Sequence, residues 1–288
     1  NPDTAREILK LGRFGLRERR REIERQGPLA YSTSGWLGLS DSEVISSIQS
    51  LQTQGFRHFK AKVGSDLADD LRRLALLRKA IGSDGHLMTD ANQIWGVDEA
   101  IEWMTELTKF SPFWIEEPTA RDDVHGFIRI AKALRPYGIG VAAGEQIPSP
   151  VIFKQMLANG ALTHCQIDAT RLAGVNDVLA VVLMAAHFGI PVCPHGGGIG
   201  LNNMTRHYAI WDQIAVSATR KGRIVEYIDF LQEDVFHMPV EVQNGHYISP
   251  ENPGWGLEMK LDFITRHRFP NGDIWRFREG PIGSAFEA

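Results

Sequence analysis

Seven short runs of the chain end on, or carry near their end, a polar or ionisable residue. They are Lys60-Ala61-Lys62, Asp90-Ala91-Asn92, Glu116-Glu117-Pro118, Gly144-Glu145, Ile167-Asp168, Pro194-His195 and, within 223–227, Glu226. Singly, each has an ordinary explanation, because a lysine in a strand is usually at the surface and an acid ahead of a loop is usually a helix cap. Gathered in one cavity, the set would be stranded without water or mutually repelled unless a metal or a substrate paired it. The carboxylates of Asp90, Glu116 and Glu145 suit a hard, oxygen-preferring cation, one Mg2+ ion. Zn2+ suits them less, since no Cys or His converges with them. Glu116 and Glu117 point to opposite sides if the strand continues through both. Glu116 is therefore the expected ligand, and Glu117 is expected to turn outward or to support a ligand from behind.

Lys62 precedes these acids and His195 follows them, so a substrate held on the metal would lie between the two. Asp168 can hydrogen-bond the His195 imidazole and fix its tautomer. A lysine ordinarily titrates at about 10.4, and nearby positive charge lowers that value. Lys60 and the cation would both supply such charge to Lys62. The arrangement suits proton abstraction next to a carboxylate, with the metal stabilising the enediolate.

Residues so far apart in sequence need a frame that delivers them to one place. β-rich runs occur at 29–34, 58–63, 86–90, 113–116, 140–144, 164–168, 191–194 and 223–227. Helical patterns fall between them, at 40–54, 66–81, 97–110, 122–134, 150–157, 176–188 and 201–214, several ending at or near a glycine. Strands alternating with helices in this rhythm argue for parallel βα units closing into a TIM-like (β/α)7β barrel of the α/β class. In a barrel the active site lies at the C-terminal strand ends, where all these residues fall. The rival, a doubly wound open sheet, would want a glycine-rich phosphate loop after its first strand, and there is none. Residues 1–26 read as one Arg-rich lead-in helix within a 1–28 segment. The barrel spans 29–230, and 231–288 reads as a loop-rich segment packed over the barrel or against another domain.

The 288 residues carry a net charge of -4, which offers no electrostatic footprint for nucleic acid. The alternating signs of Arg17 to Arg25 read as a solvated helix face. The longest apolar stretch, 178–186, stops at His187, short of the roughly 20 residues a bilayer needs. Cys165 and Cys193 are too few for a disulfide framework and fit a reduced, cytoplasmic setting.

The residue pattern resembles the enolase superfamily, mandelate racemase subgroup, in which Lys-x-Lys lies on strand two, metal acids on strands three to five, and an Asp–His dyad on strands six and seven. Longer stretches are similar to the L-fuconate dehydratase group: GFRHFKAKVG over 55–64, WIEEPT over 114–119, GEQ over 144–146 and IPVCPHGGG over 190–198. The resemblance runs from about residue 31 to residue 255. It implies that Lys62 removes the C2 proton of an acid sugar, that His195, held by Asp168, helps the 3-hydroxyl leave, and that Asp90, Glu116 and Glu145 bind Mg2+. It further implies that Lys60 and Asn92 polarise the substrate carboxylate and that Glu226 contacts the substrate. The expected product is a 2-keto-3-deoxy acid, and the expected partner a small-molecule acid sugar, with self-association into a homo-oligomer left open. Members carry an N-terminal α+β capping domain. Here it is expected to be missing, and the lead-in helix is what would join it to the barrel. Two alternatives share the fold: an acid-sugar or hydroxy-acid racemase or epimerase, and a catalytically inactive scaffold.

Overall fold

The computed structural model describes residues 1–228, 234–251, 253–256 and 258–276. The expected barrel end at Phe230 and the tail beyond Arg276 lie outside the described residues. Two helices lead in, α1 (Pro2–Leu11) and α2 (Leu16–Arg25), which corrects the single helix expected over 1–26. The break falls at Gly15, whose left-handed φ of 68° suits a residue without Cβ and interrupts helical geometry. Arg19 ties the corner down by donating to the carbonyls of Gly12, Phe14 and the distant Ile214.

The repeating part follows as β1 (Leu29–Gly35), α3 (Asp41–Thr53), β2 (His58–Lys62), α4 (Leu67–Ile81), β3 (His86–Asp90), α5 (Val97–Leu107), β4 (Trp114–Glu116), α6 (Val124–Leu134), β5 (Gly140–Ala143), α7 (Pro150–Ala158), β6 (His164–Cys165), α8 (Val175–His187), α9 (Leu201–Trp211) and β7 (Ile224–Glu226). Side-chain caps set the helix starts. Ser40 and Glu43 form a capping box on α3, Asp66 caps α4, Asp123 caps α6, and Ser149 caps α7 ahead of Pro150. Each accepts from N–H groups that a first helical turn leaves without partners.

Parallel pairing runs β6-β5-β4-β3-β2-β1, and β7 pairs with the other side of β1. The regular ladder stops where a seventh strand is expected, at 191–194. Pro191 and Pro194 have no N–H to give, so this segment makes only an isolated bridge, Cys165 to Val192. Backbone bonds from Cys193 N–H to Cys165 O and from His195 N–H to Ile167 O hold it on one side. A bond from Glu226 N–H to Pro194 O holds it on the other. The packing shows a ring nonetheless: Tyr31, Met88, Trp114, Ala142, Cys193 and Ile224, each from a different strand position, form one buried inner cluster, as inward side chains of a small barrel do. The larger core lies between sheet and helices, where Ile48 and Leu51 of α3 and Leu74 and Leu77 of α4 join Phe59, Ala61 and Leu87.

Past β7 the described residues hold more order than the proline- and glycine-rich sequence suggests. β8 (Val242–Gln243) and β9 (His246–Tyr247) form an antiparallel hairpin, and His246 pairs with Leu29 at the start of β1. Asn244 and Gly245 between them have φ of 50° and 72°, the geometry for which Asn-Gly is the preferred two-residue turn. Tyr247, buried, donates from its hydroxyl to the Glu226 carbonyl, anchoring this segment to the last barrel strand. α10 (Leu261–His267) and α11 (Asp273–Arg276) complete the described chain. No described helix is long and apolar enough to cross a membrane.

Candidate active site

Strand register assembles the first part of the site. Lys62 pairs with Asp90, and Asp90 with Glu116, across β2, β3 and β4, so their side chains leave the sheet on one face at one level. Glu145 arrives differently. β5 ends at Ala143 and the chain turns at Gly144, φ 150°, where a Cβ would lie 2.3 Å from the Gln166 carbonyl oxygen. Asp168 and His195 follow β6 and the 191–194 segment, and Glu226 ends β7.

Asp90, Glu116 and Glu145 each offer an oxygen within 4.8 Å of the other two, and all three residues are buried. Burial, then the Asp90 charge, with Glu145 and Glu226 adding to it, hold Glu116 well above the usual carboxylate range against the pull of Lys60. Burial also opposes ionisation of Asp90, but Lys60 and Lys62 outweigh it and keep Asp90 below its ordinary value. An all-oxygen anionic donor set whose members destabilise one another fits a hard divalent cation. Magnesium, expected from the sequence, matches that chemistry.

Lys60 is the built-in counter-ion. It is 1% exposed, with Nζ 2.7 Å from Glu116, 3.0 Å from Glu226 and 3.3 Å from Asp90. Burial alone would depress its pKa, yet Glu116 and Glu226 hold it well above the usual lysine value. Glu226 also accepts from Thr33 Oγ1 at 2.8 Å and from the Gly196 N–H at 3.1 Å. Substrate contact by Lys60 or Glu226 would mean exchanging these pairs. Lys62 and His195 are the more open groups, their side chains 13% and 15% exposed. Lys62 Nζ donates to Asp90 Oδ2 at 2.6 Å and Asn92 Oδ1 at 2.7 Å, and sits 5.2 Å from the Trp36 ring centroid. Asn92 takes a φ of 44°, a region where Asn is enriched among non-glycine residues, and its Nδ2 reaches Glu145 at 3.4 Å.

At the other end of the row, His195 Nδ1 donates to Asp168 Oδ2 at 2.8 Å, while Nε2 lies 3.3 Å from Glu145 Oε2 and 3.5 Å from Glu226 Oε2. Thr170 fixes Asp168 through its N–H and its hydroxyl, both 2.6 Å from Oδ1. Burial favours a neutral imidazole, but the Asp168 hydrogen bond and the charges of Glu226 and Glu145 push His195 up to about 9. Nε2 faces these carboxylates, whose charge favours its protonated form.

Of the two expectations for Glu117, an outward turn or support of a ligand from behind, the structure overturns the outward turn. It is fully buried, accepts from Gln93 Nε2 at 3.0 Å, and is pushed up to about 7 by burial and then by Glu145. Strand geometry ends at Glu116 and Glu117 has a φ of 42°, so the alternation of an extended strand does not reach it. Sequence reading also passed over Gln166, whose Nε2 donates to Glu116 Oε2 at 2.6 Å and to the Tyr31 hydroxyl at 3.1 Å. Its signal was its place two residues before Asp168. Tyr31, Thr33 and Trp36 were missed because no ionisable residue marks the end of the first strand.

Residues 43–263 match the enolase C-terminal domain-like family. The chain is 48% identical over 275 residues to mitochondrial enolase superfamily member 1 of Homo sapiens, covering 95% of this chain and 62% of that protein. The crystal structure of the human protein superposes with a TM-score of 0.92 at 47% identity, with the same two coverages of 95% and 62%. L-galactonate dehydratase of Hypocrea jecorina is 42% identical over 273 residues, covering 93% of this chain and 60% of that one. The crystal structure of L-talarate/galactarate dehydratase from Salmonella typhimurium, liganded with Mg and L-lyxarohydroxamate, gives a TM-score of 0.71 at 26% identity, covering 82% of this chain and 57% of that one. The chain thus spans 57% to 62% of the length of these proteins.

Proposed function

The chain belongs to the enolase superfamily, and from that premise we propose that it carries the catalytic barrel of a Mg2+-dependent dehydratase acting on a six-carbon acid sugar of the L-fuconate or L-galactonate type. One observation carries the reading: Lys62 abuts the carboxylate row at Asp90 while the His195–Asp168 pair abuts it at Glu145. A base and an acid at opposite ends of a metal-type site suit removal of a proton from C2 and loss of a hydroxyl from C3. Similarity to L-galactonate dehydratase favours dehydration over epimerisation.

In this mechanism neutral Lys62 takes the C2 proton through Nζ. Imidazolium His195 gives its Nε2 proton to the departing 3-hydroxyl, which leaves as water. The enol so formed ketonises to a 2-keto-3-deoxy acid. Asp168 keeps Nδ1 protonated and so aims Nε2 at the site. Asp90, Glu116 and Glu145 would hold one Mg2+, which when bound would stabilise negative charge growing on the substrate carboxylate. Lys60 and Asn92 polarise that carboxylate, and Glu226 contacts the substrate. We assign residues 1–28 as a lead-in to the barrel, the barrel as beginning at residue 29, and the described residues from 234 to 276 as a segment packing on it. The free, buried thiols of Cys165 and Cys193 suit a reducing compartment such as the cytoplasm.

The test is product analysis of the full-length protein with Mg2+ and a panel of acid sugars. A 2-keto-3-deoxy acid supports the proposal, a C2 epimer replaces dehydration with epimerisation, and failure to bind Mg2+ removes the catalytic reading altogether.

A further inference from the structure

The core-facing side of α4 is made of Asp70, Arg73, Leu74, Leu77 and Ile81, all buried. Two charged residues on that face are unexpected, since a buried charge is costly unless paired and hydrogen-bonded. The chain ends they touch explain them. The β1–β2 register breaks between Thr33 and Gly35, which frees backbone carbonyls at the C-terminal end of β1. Arg73 collects them: NH2 donates to Gly35 O at 2.9 Å and to Trp36 O at 3.3 Å, and NH1 donates to Lys62 O at 2.8 Å. Asp70 completes the device. Its Oδ1 accepts from Arg73 NH1 at 3.2 Å, and its Oδ2 accepts from the Gly64 N–H at 2.6 Å and from Trp103 Nε1 at 3.2 Å.

One planar guanidinium thus holds the backbone of Lys62 and the backbone of Trp36, the residue whose ring lies against the Lys62 ammonium. Asp70 holds the chain two residues beyond Lys62. Arginine suits this task because its rigid fork of donors spans several acceptors at once, whereas a lysine presents a single point charge. A hydrophobic residue at position 73 would fill the core equally well and leave the three carbonyls without these donors. We infer that Arg73, oriented by Asp70, is a positioning residue that sets where the Lys62 amine stands relative to Asp90 and to a substrate. The inference rests on the proposed role of Lys62 as the base. It goes beyond that role in assigning its alignment to a pair on α4 that touches neither substrate nor metal ligand.

The test uses the full-length protein and two variants, Arg73→Lys and Arg73→Ala, with two readouts. The first is Mg2+-dependent turnover and C2 proton exchange of an acid sugar. Misplacing a reacting group by about 1 Å can cost roughly 100-fold, so folded Arg73→Lys is expected to lose between about 10- and 100-fold in kcat with KM within about twofold. Added guanidinium ion is expected to restore part of the Arg73→Ala loss, while the split between kcat and KM and the Lys62 labelling rate separate positioning from a purely structural role. The second readout needs no substrate: the rate at which an amine-reactive acylating reagent labels Lys62, followed by mass spectrometry. It is expected to rise several-fold in both variants while Lys60 stays protected. If Arg73→Ala does not fold, Arg73→Lys decides. Wild-type kcat and wild-type Lys62 labelling in folded Arg73→Lys would overturn the inference, as would an effect on KM alone. If the wild-type protein shows no exchange with any acid sugar, the dehydratase reading falls, and the labelling rates still decide whether Arg73 positions Lys62.

Discussion

Asp90 joins the two halves of the site, because it both accepts from Lys62 and belongs to the carboxylate trio. On the proposed roles, the base would meet the metal site at Asp90 and the acid would meet it at Glu145, at the other end of the trio. This separation gives the two proton-transfer residues distinguishable mutants. Lys62→Ala is expected to abolish C2 proton exchange with solvent, followed by NMR in D2O with Mg2+ present. His195→Asn is expected to cut turnover by about 100- to 10,000-fold, the usual span for a lost general acid, while measurable exchange continues because the base remains. Exchange surviving in the lysine variant and lost in the histidine variant would reverse the two roles. At this scale Lys62, Asp90, Glu116, Asp168 and His195 were legible from side-chain type and place near strand ends. For Glu117 the sequence left two alternatives, and its burial follows from one left-handed backbone step that residue type does not announce.

Elements decide how accurately these groups meet. Lys62, Asp90 and Glu116 are set by regular ladder pairing, but Glu145 depends on the turn at Gly144, which packs against the Gln166 backbone. A methyl group there would meet the Gln166 carbonyl within normal contact distance at a φ of 150°, so the strand end must shift and carry Glu145 with it. Gly144→Ala is accordingly expected to weaken Mg2+ binding by about 10- to 100-fold, the range seen when support of a metal ligand is lost, with a smaller effect on the melting temperature. Calorimetric titration with Mg2+ beside a thermal melt separates the two effects. Unchanged Mg2+ affinity would show that Glu145 is held by other contacts. The helices were readable from their apolar pattern and glycine ends, and the caps at Ser40, Asp66, Asp123 and Ser149 come from the structure. The seventh strand position was readable as a hydrophobic run, but its two prolines reduce it to a bridge and a few backbone bonds.

For the whole molecule, two conditions shift stability. Any ligand that binds only the folded chain stabilises it by mass action, so Mg2+ at about 100 times its dissociation constant is expected to add about 2.7 kcal/mol, read as a rise in melting temperature. Asp90→Asn should remove most of that rise. The second condition is pH. At the N-terminal face of the barrel, His58 stacks on His86 at 4.3 Å between ring centroids, and His164 packs against Trp114 at 4.8 Å. Burial pushes His58 down to about 3, with His86 adding to it, and pushes His164 down to about 4. Both stay neutral in the folded chain while an unfolded histidine protonates near 6.5. The unfolded state then binds more protons at lower pH, so the contribution of these two histidines is full above about 6.5 and is lost as pH drops from there toward the folded values. Urea midpoints between pH 7 and pH 4.5 should show that decline, and His164→Gln should flatten it. An unchanged slope in that variant would mean that other groups govern the acid limb.

Side-chain chemistry and periodicity, read along the chain alone, pointed to the barrel class and to three carboxylates, Lys62 and His195, residues that the fold does bring together. They suffice because strands alternate with period two and because acids gathered in one place need a counter-charge. Tertiary structure decided what depends on contacts between distant segments. It enclosed Lys60 among Glu116, Glu226 and Asp90, turned Glu117 inward, brought Gln166 and Tyr31 to the ligands, and placed Arg73 of α4 under the backbone of Lys62. The Lys60 and Gln166 contacts join side chains from different segments, the Glu117 turn is a left-handed step, and the Arg73 contacts are to backbone carbonyls beside a register break. All are set by the packing of the whole ring rather than by the identity of any one residue.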